Sequence, residues 1–278
     1  MKTALTFKLP LGISATLKSD TPLPYTDKEE IIFQAYIPGI ERATRGSGTI
    51  HIAYQHAKKE SVHRRGKTLT VKGTLQTVEN DMHHLLYSAL RHELLKKEAY
   101  SVHAACVDVK GLILLVGHSG SGKTTIALEL AKQGHNILSG NKTVVTKGKA
   151  IAGTRAMTLK TAPQQGNAIT YGTRSAFLLP SYAKSGPIKA VYLVRLNDGH
   201  DREERVGSTS ALHTLYPFFL DTVNADTIIG ESLYSNEVTQ KQKTTLVKML
   251  RSMLKKTPVR TVTGSLPFVV GRIIHHET

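Results

Sequence analysis

Gly117-His118-Ser119-Gly120-Ser121-Gly122-Lys123-Thr124 carries the spacing G-x-x-x-x-G-K-[ST], and the chemistry of that pattern is phosphate binding. Glycines let the backbone fold back on itself, so that successive N–H groups and a helix N-terminus converge on phosphate oxygens. In that arrangement residues Gly117 to Thr125 cradle a nucleoside triphosphate, Lys123 reaches the β- and γ-phosphates, and the Thr124 hydroxyl is offered to Mg²⁺. The pattern identifies a triphosphate and no base.

The flanking residues supply the elements such a loop needs. The apolar run at 112–116 predicts a strand entering it, and Ala127, Leu130 and Ala131 predict one face of a helix from Lys123 to about Gln133, closed by Gly134. Residues 100–109, then Lys110-Gly111, then the loop strand predict an antiparallel hairpin. A turn centred on Lys110-Gly111 sets His103 opposite His118, so a histidine at the strand end faces the phosphates. Beyond the helix, residues 135–139 begin another strand, Gly140-Asn141 follows, and 143–146 continue extended. Further strands are predicted at 150–151 and 190–196, and Leu246, Met249, Leu250, Met253 and Leu254 mark an amphipathic helix that stops before Pro258.

Before residue 100 the chain is punctuated by Pro and Gly, which predicts a β-rich amino-terminal region (1–99) with strands at 4–9, 13–18, 31–37, 49–54 and 68–71. It ends in a helix capped by Asn80 or Asp81, whose Met82, Leu85, Leu86, Ala89, Leu90 and Leu94 face a core. No linker separates it from 100–278, so the two parts are expected to share one sheet or to pack closely.

The order from Ser101-Val102-His103-Ala104-Ala105, through Val107-Asp108-Val109-Lys110-Gly111 and the loop, to Ala127-Leu128-Glu129-Leu130 and Gly134-His135 resembles the catalytic region of HPr kinase/phosphorylase and its smaller relatives. That bacterial group transfers phosphate to a serine or similar hydroxyl. The resemblance covers about residues 100–146, with fainter likeness at 188–220 and 258–274. It implies an α/β phosphate-loop domain with a mixed sheet, ATP and Mg²⁺ as cofactors, and a homo-oligomer as one assembly. In the family, the strand after the helix ends in two acids, one a base for the acceptor hydroxyl and one a holder of Mg²⁺. Gly140-Asn141 stands there in this chain. Glycine does neither job, and Asn141 offers Mg²⁺ a carbonyl oxygen without charge.

The resemblance makes His103 the first candidate to accept a proton in place of the missing acid. Arg174 and Arg155 are candidates to neutralise a transferring phosphate. Asp198, Asp201, Glu203 and Glu204 cluster after the strand ending at Leu196, where Asn197-Asp198-Gly199 reads as a turn, and are expected in a solvated loop. Two functions fit: an ATP-dependent phosphotransferase acting on a hydroxyl of a small molecule or peptide, or a nucleotide-binding regulatory or scaffolding protein that has lost its chemistry.

Composition narrows the partners. The 278 residues are 40% hydrophobic and carry a formal charge of +16, so the surface attracts polyanions, including nucleotides and acidic acceptors. The basic residues are dispersed rather than gathered into an arginine-rich arm, which argues against nucleic acid as the main partner. The one cysteine, Cys106, excludes an internal disulfide and reads as an inert buried thiol. Thirteen histidines include no H-E-x-x-H spacing. No apolar run reaches membrane-spanning length, and Lys8 and Pro10 break the stretch after Met1, so the expectation is a cytoplasmic protein with neither span nor signal peptide.

Overall fold

The computed structural model describes residues 3–22, 27–44, 48–159, 169–171, 174–179, 181–197, 199–221, 226–229, 232–235 and 237–277, with the side chains of 3, 27, 75–81, 169–171 and 174 left outside the description. In the amino-terminal region lie β1 (Thr3–Lys8), β2 (Ser14–Ser19), α1 (Asp27–Tyr36), β3 (Glu41–Ala43), β4 (Ile50–His56), β5 (Ser61–Arg65), β6 (Thr68–Gly73) and α2 (Leu75–Lys96). The strands form one mixed sheet in the order β3-β1-β2-β4-β6-β5. Leu5, Phe7, Leu17, Ile52 and Val71 alternate toward one face, where Leu86, Leu90 and Leu94 of α2 cover them.

Two expectations are corrected here. Residues 31–37 are not a strand: 31–36 belong to α1, where Ile32, Phe33 and Ala35 are buried, and Ile37 follows it. A short β-branched run mimics a buried strand, and the helix forms because its apolar face has α2 and a later β-hairpin to pack against. Helix α2 begins at Leu75 after Thr74 rather than at Asn80 or Asp81.

The remainder contains β7 (Tyr100–Val102), β8 (Ala104–Asp108), β9 (Leu112–Val116), α3 (Lys123–Lys132), β10 (Asn136–Ser139), β11 (Thr143–Thr146), β12 (Lys149–Gly153) and β13 (Ala156–Leu159). It continues through β14 (Ile169–Tyr171), β15 (Arg174–Leu178), β16 (Gly186–Leu196), β17 (Arg202–Val206), α4 (Ser208–Leu220), β18 (Thr227–Ile229), β19 (Ser232–Tyr234), α5 (Gln240–Leu254), β20 (Val259–Gly264) and α6 (Leu266–Glu277). A nine-stranded mixed sheet runs β10-β8-β9-β16-β12-β11-β7, with β20 beside β16 and β17 beside β20. The two regions therefore keep separate sheets and pack through shared core: Val144, Ile229 and Tyr234 join the amino-terminal cluster.

β9 is central and parallel to β16, and all five of its residues are buried, as expected for a strand covered on both faces. Leu112, Leu114 and Val116 face α4 and α5 through Leu215, Phe219, Leu246 and Leu250. Ile113 and Leu115 face α3 and α6 through Ile126, Leu130, Val269 and Ile273. This is a three-layer α/β arrangement, and no helix among the described residues is long and apolar enough to cross a membrane.

The antiparallel hairpin into the loop strand is present, but its register differs by one residue. Ala104 pairs with Val116 and Asp108 with Leu112, leaving Val109, Lys110 and Gly111 in the turn, where Asp108 Oδ1 accepts the Gly111 N–H at 2.8 Å. His103 is thus offset from His118. It also ends the pairing, because the run 100–109 divides at His103: β7 pairs with β11, whereas β8 pairs with β9 and β10. The histidine stands where the chain changes partners.

Candidate functional site

Three elements converge on the loop: β9 delivers it, α3 receives it, and the end of β16 braces it. Gly122 is the N-cap of α3 with φ 92°, and a Cβ there would lie 2.4 Å from Leu196 Cγ; only glycine satisfies both constraints. The Leu196 N–H donates to Ser121 O at 3.0 Å, and within the loop the Ser121 N–H donates to His118 O at 3.1 Å. Lys123 is 7% exposed, and its ammonium donates to Gly117 O at 2.6 Å and His118 O at 2.9 Å. Burial lowers its pKa to about 8. At the far end of α3, Gly134 has φ 90° and the His135 N–H donates back to Leu130 O, fixing the helix where the sequence placed its end.

A cavity of about 340 Å³ opens on this loop, and Lys123, Thr124, Thr125, His103 and Asn141 line it together with Thr158 and Leu159. The loop, the histidine and the Gly-Asn turn therefore meet in one pocket. A second cleft of about 580 Å³ shares Ser119 and Gly120 with the first and is lined by Gly117, His118, Arg195, Phe218, Thr261 and Thr263 among others. There the His118 and Phe218 rings pack with centroids 5.1 Å apart. It sits at the carboxyl ends of the parallel strands β9, β16 and β20, where open α/β sheets receive ligands.

Thr154 holds the Gly140-Asn141 turn in place. Its carbonyl accepts the Gly140 N–H at 3.2 Å, and its hydroxyl accepts the Asn141 N–H at 2.9 Å. Asn141 in turn hydrogen-bonds His103. Burial and the Lys123 charge push the His103 pKa down to about 4, against an upward pull from Asp221 and from the Asn141 hydrogen bond. The imidazole is neutral at pH 7 and retains an acceptor nitrogen.

Gly140 leaves no room for the acid that the resemblance implies at this position. A Cβ at this position would fall 2.3 Å from Met157 Cγ and 3.2 Å from Ala156 O, and Met157 is fully buried. The side chain of β13 occupies the volume an acid would need. Gly140→Asp is therefore expected to lower stability by about 1–3 kcal/mol through overpacking, read as a drop in thermal midpoint that Met157→Ala in the same chain reverses in large part.

Sequence reading missed the groups beneath the turn. Lys142, next to Asn141, is 3% exposed; its ammonium lies 3.2 Å from the Tyr87 ring centroid and 4.0 Å from Asp221 Oδ2. Tyr87 of α2 donates a short hydrogen bond to the same carboxylate. Asp221 follows α4 in the left-handed conformation (φ 45°), and Arg91 of α2 binds the carbonyl of the preceding Leu220. An amino-terminal helix thus anchors a carboxylate whose charge reaches His103. The only local signal was a lysine directly after Gly-Asn.

Other candidates lie elsewhere. Arg155 is exposed, paired with Glu41 at 2.6 Å and set beside the Tyr182 ring, so it ties β13 to the amino-terminal sheet instead of lining the pocket. Arg174 opens β15, and its side chain lies outside the described residues. Asp198 is likewise outside them. Glu203 and Glu204 are on β17, not in a loop; Glu203 gathers Arg260, Arg272 and His276, and Asp201 accepts the Ser265 N–H at the start of α6. These acids are structural. Cys106 is buried, and burial pushes its thiol up, in keeping with an inert side chain.

A protein-held Mg²⁺ takes one or two carboxylates together with phosphate oxygens and water. The pocket offers the Thr124 hydroxyl and the Asn141 amide oxygen, both neutral, and no carboxylate lines it among the described residues. Nor do those residues contain a cluster of three or more His, Cys, Asp or Glu able to hold a metal. This donor set does not fit an anionic Mg²⁺ site.

Burial also sets a pH response. His83 and His84 of α2 are held down to about 3 and about 4, burial being the main cause and Lys142 contributing; His103 is at about 4. Above pH 6.5 these histidines are neutral in both folded and unfolded chains. As pH falls from 6.5 toward 4 the unfolded chain binds the extra protons, so stability drops, by at most ~1.4 kcal/mol per pH unit per histidine. Thermal melts across this window will show the fall, and His84→Gln will make it shallower.

The fold and site define a class: a mixed α/β protein with a glycine-rich loop between a central parallel strand and a helix, facing a histidine. No family model matches the chain. Over 46 residues it is 46% identical to HPr kinase/phosphorylase of Lactiplantibacillus plantarum, a match covering 16% of this chain and 15% of that protein.

Proposed function

We propose that this protein is an ATP-dependent phosphotransferase of the HPr kinase-like type, moving a phosphoryl group to the hydroxyl of a small molecule or peptide in the cytoplasm. The observation that carries the reading is the shared pocket, which joins His103 and Asn141 to Lys123, Thr124 and Thr125. Phosphoryl transfer is mostly positioning and charge neutralisation, and this pocket is equipped for both. Backbone N–H groups of residues 117–125 hold the phosphates, and Lys123 takes up charge developing on the bridging and terminal oxygens. The acceptor oxygen forms the new P–O bond as the bond to ADP breaks, and its proton passes to the His103 nitrogen and then to solvent.

A histidine near pKa 4 is a weak base. Phosphate charge arriving beside it raises that value, so the ring becomes basic when substrate is present. Asn141 orients it. Arg174 is the candidate to neutralise the transferring group, and Thr124 with Asn141 are the oxygen donors nearest any nucleotide-borne cation. The two clefts that meet at Ser119 and Gly120 give a two-substrate reaction two approaches to the phosphates, and the +16 charge favours an acidic acceptor.

The test is incubation with labelled ATP, Mg²⁺ and hydroxyl-bearing acceptors, acidic peptides included. Transfer that disappears in Lys123→Ala supports the reading; no transfer by wild type, or transfer unchanged by the substitution, sinks it. One observation favours a binding-only regulator instead: Met157 fills the space of the family's first acid. That protein would bind ATP without turnover.

A further inference from the structure

We infer that the phosphate pocket takes its nucleotide as the metal-free polyanion, and that Mg²⁺ gains no protein ligand that tightens the complex. The inference rests on the reading of residues 117–125 as a nucleotide loop and concerns which ionic form that loop selects. Among the described residues, the polar side chains that line the pocket are all neutral or positive: Ser119, Thr124, Thr125, Thr158, Asn141, neutral His103 and Lys123. At the place where an acid would enter, Gly140 has no room for a Cβ.

Asp221 is the carboxylate whose charge reaches His103, yet it is 3% exposed, receives the Tyr87 hydrogen bond and faces the Lys142 ammonium. Its charge is spent inside the protein. The sequence extends the pattern, for no Asp or Glu stands between Glu129 and Asp198 while lysines and arginines recur throughout.

Mg²⁺ surrenders its water reluctantly and is retained by anionic oxygen. Two neutral dipoles do not repay that dehydration in a pocket that also holds an ammonium. Coordination to Mg²⁺ further removes two units of charge from the polyphosphate, and that charge is what Lys123 and the loop N–H groups recognise. Free ATP is therefore the better ligand.

Titration calorimetry of the full chain, with ATP in EDTA and with ATP in excess Mg²⁺, reads the difference directly, and inorganic tripolyphosphate serves as a probe free of base contacts. Both probes are expected to bind at least as tightly in EDTA as in Mg²⁺. Tightening by Mg²⁺ of about threefold or more overturns the inference while leaving the nucleotide reading intact. No binding under either condition overturns both. Asn141→Asp, nearly isosteric, is expected to weaken metal-free ATP by about tenfold and to make Mg²⁺ strengthen binding. If its response to Mg²⁺ equals that of wild type, Asn141 is not the point at which metal dependence was lost, and the inference fails there.

Discussion

Lys123→Ala is expected to weaken ATP binding by about two orders of magnitude while leaving the thermal midpoint unchanged or slightly higher. The affinity loss follows from the ammonium's position: it lies across the loop on Gly117 O and His118 O, and a hydrogen bond to a charged group contributes about 1.5–3 kcal/mol, or roughly 10- to 150-fold. The stability result follows from its cost. Burial holds the Lys123 pKa down to about 8, so the folded protein bears a desolvated cation that alanine removes. Calorimetry and thermal melts on the same samples separate the two effects. An unchanged affinity would mean that phosphate does not sit in this loop; a large drop in midpoint would mean that Lys123 is chiefly a structural brace.

Much of the geometry of the glycine-rich loop was legible because its signals are local. Spacing placed the glycines, the apolar run placed β9, and the Ala127, Leu130, Ala131 face with Gly134 placed α3 to within a residue of its observed ends. The hairpin was legible too, but its register was not, because Asp108 takes the Gly111 N–H and admits Val109 to the turn. Propensity misled at 31–37, where Ile31-Ile32-Phe33 has a strand's composition and a helix's neighbours. The polar foundation of the site was invisible for a different reason. Tyr87, Lys142 and Asp221 come from three distant stretches of chain, none of which announces a motif, and only the packing of α2 against the end of α4 brings them together.

That foundation makes the strongest stability prediction: Asp221→Ala is expected to destabilise the fold by about 3–5 kcal/mol, the usual cost of removing one partner from a buried ion pair. Three groups lose by the change. Lys142, with its ammonium over the Tyr87 ring, loses its counter-charge; the Tyr87 hydroxyl loses its carboxylate acceptor and keeps Ser101 Oγ at 2.9 Å; and Arg91 loses one of the negative charges that support it while keeping the Leu220 carbonyl contact. Replacing both ends, Asp221→Ala with Lys142→Met, is expected to recover a large part of the loss, because the orphaned cation is gone. The pH dependence identifies that cation. Burial already lowers the Lys142 pKa to about 8 with Asp221 pulling it upward, so without Asp221 it falls further. From that lower value up to the unfolded lysine range the unfolded chain binds more protons than the folded one, and stability rises with pH. Denaturant titrations from pH 7 to 10 should therefore show the Asp221→Ala deficit shrinking as pH increases, and the double variant should lack that slope. A deficit equal at both ends of the range would mean that Lys142 is neutral in the folded protein or that Tyr87 alone accounts for the loss. Because the same two charges act on His103 in opposite directions, the single variant is also expected to lower the His103 pKa, which ties the carboxylate held by Tyr87 of α2 to the basicity of the histidine in the loop pocket.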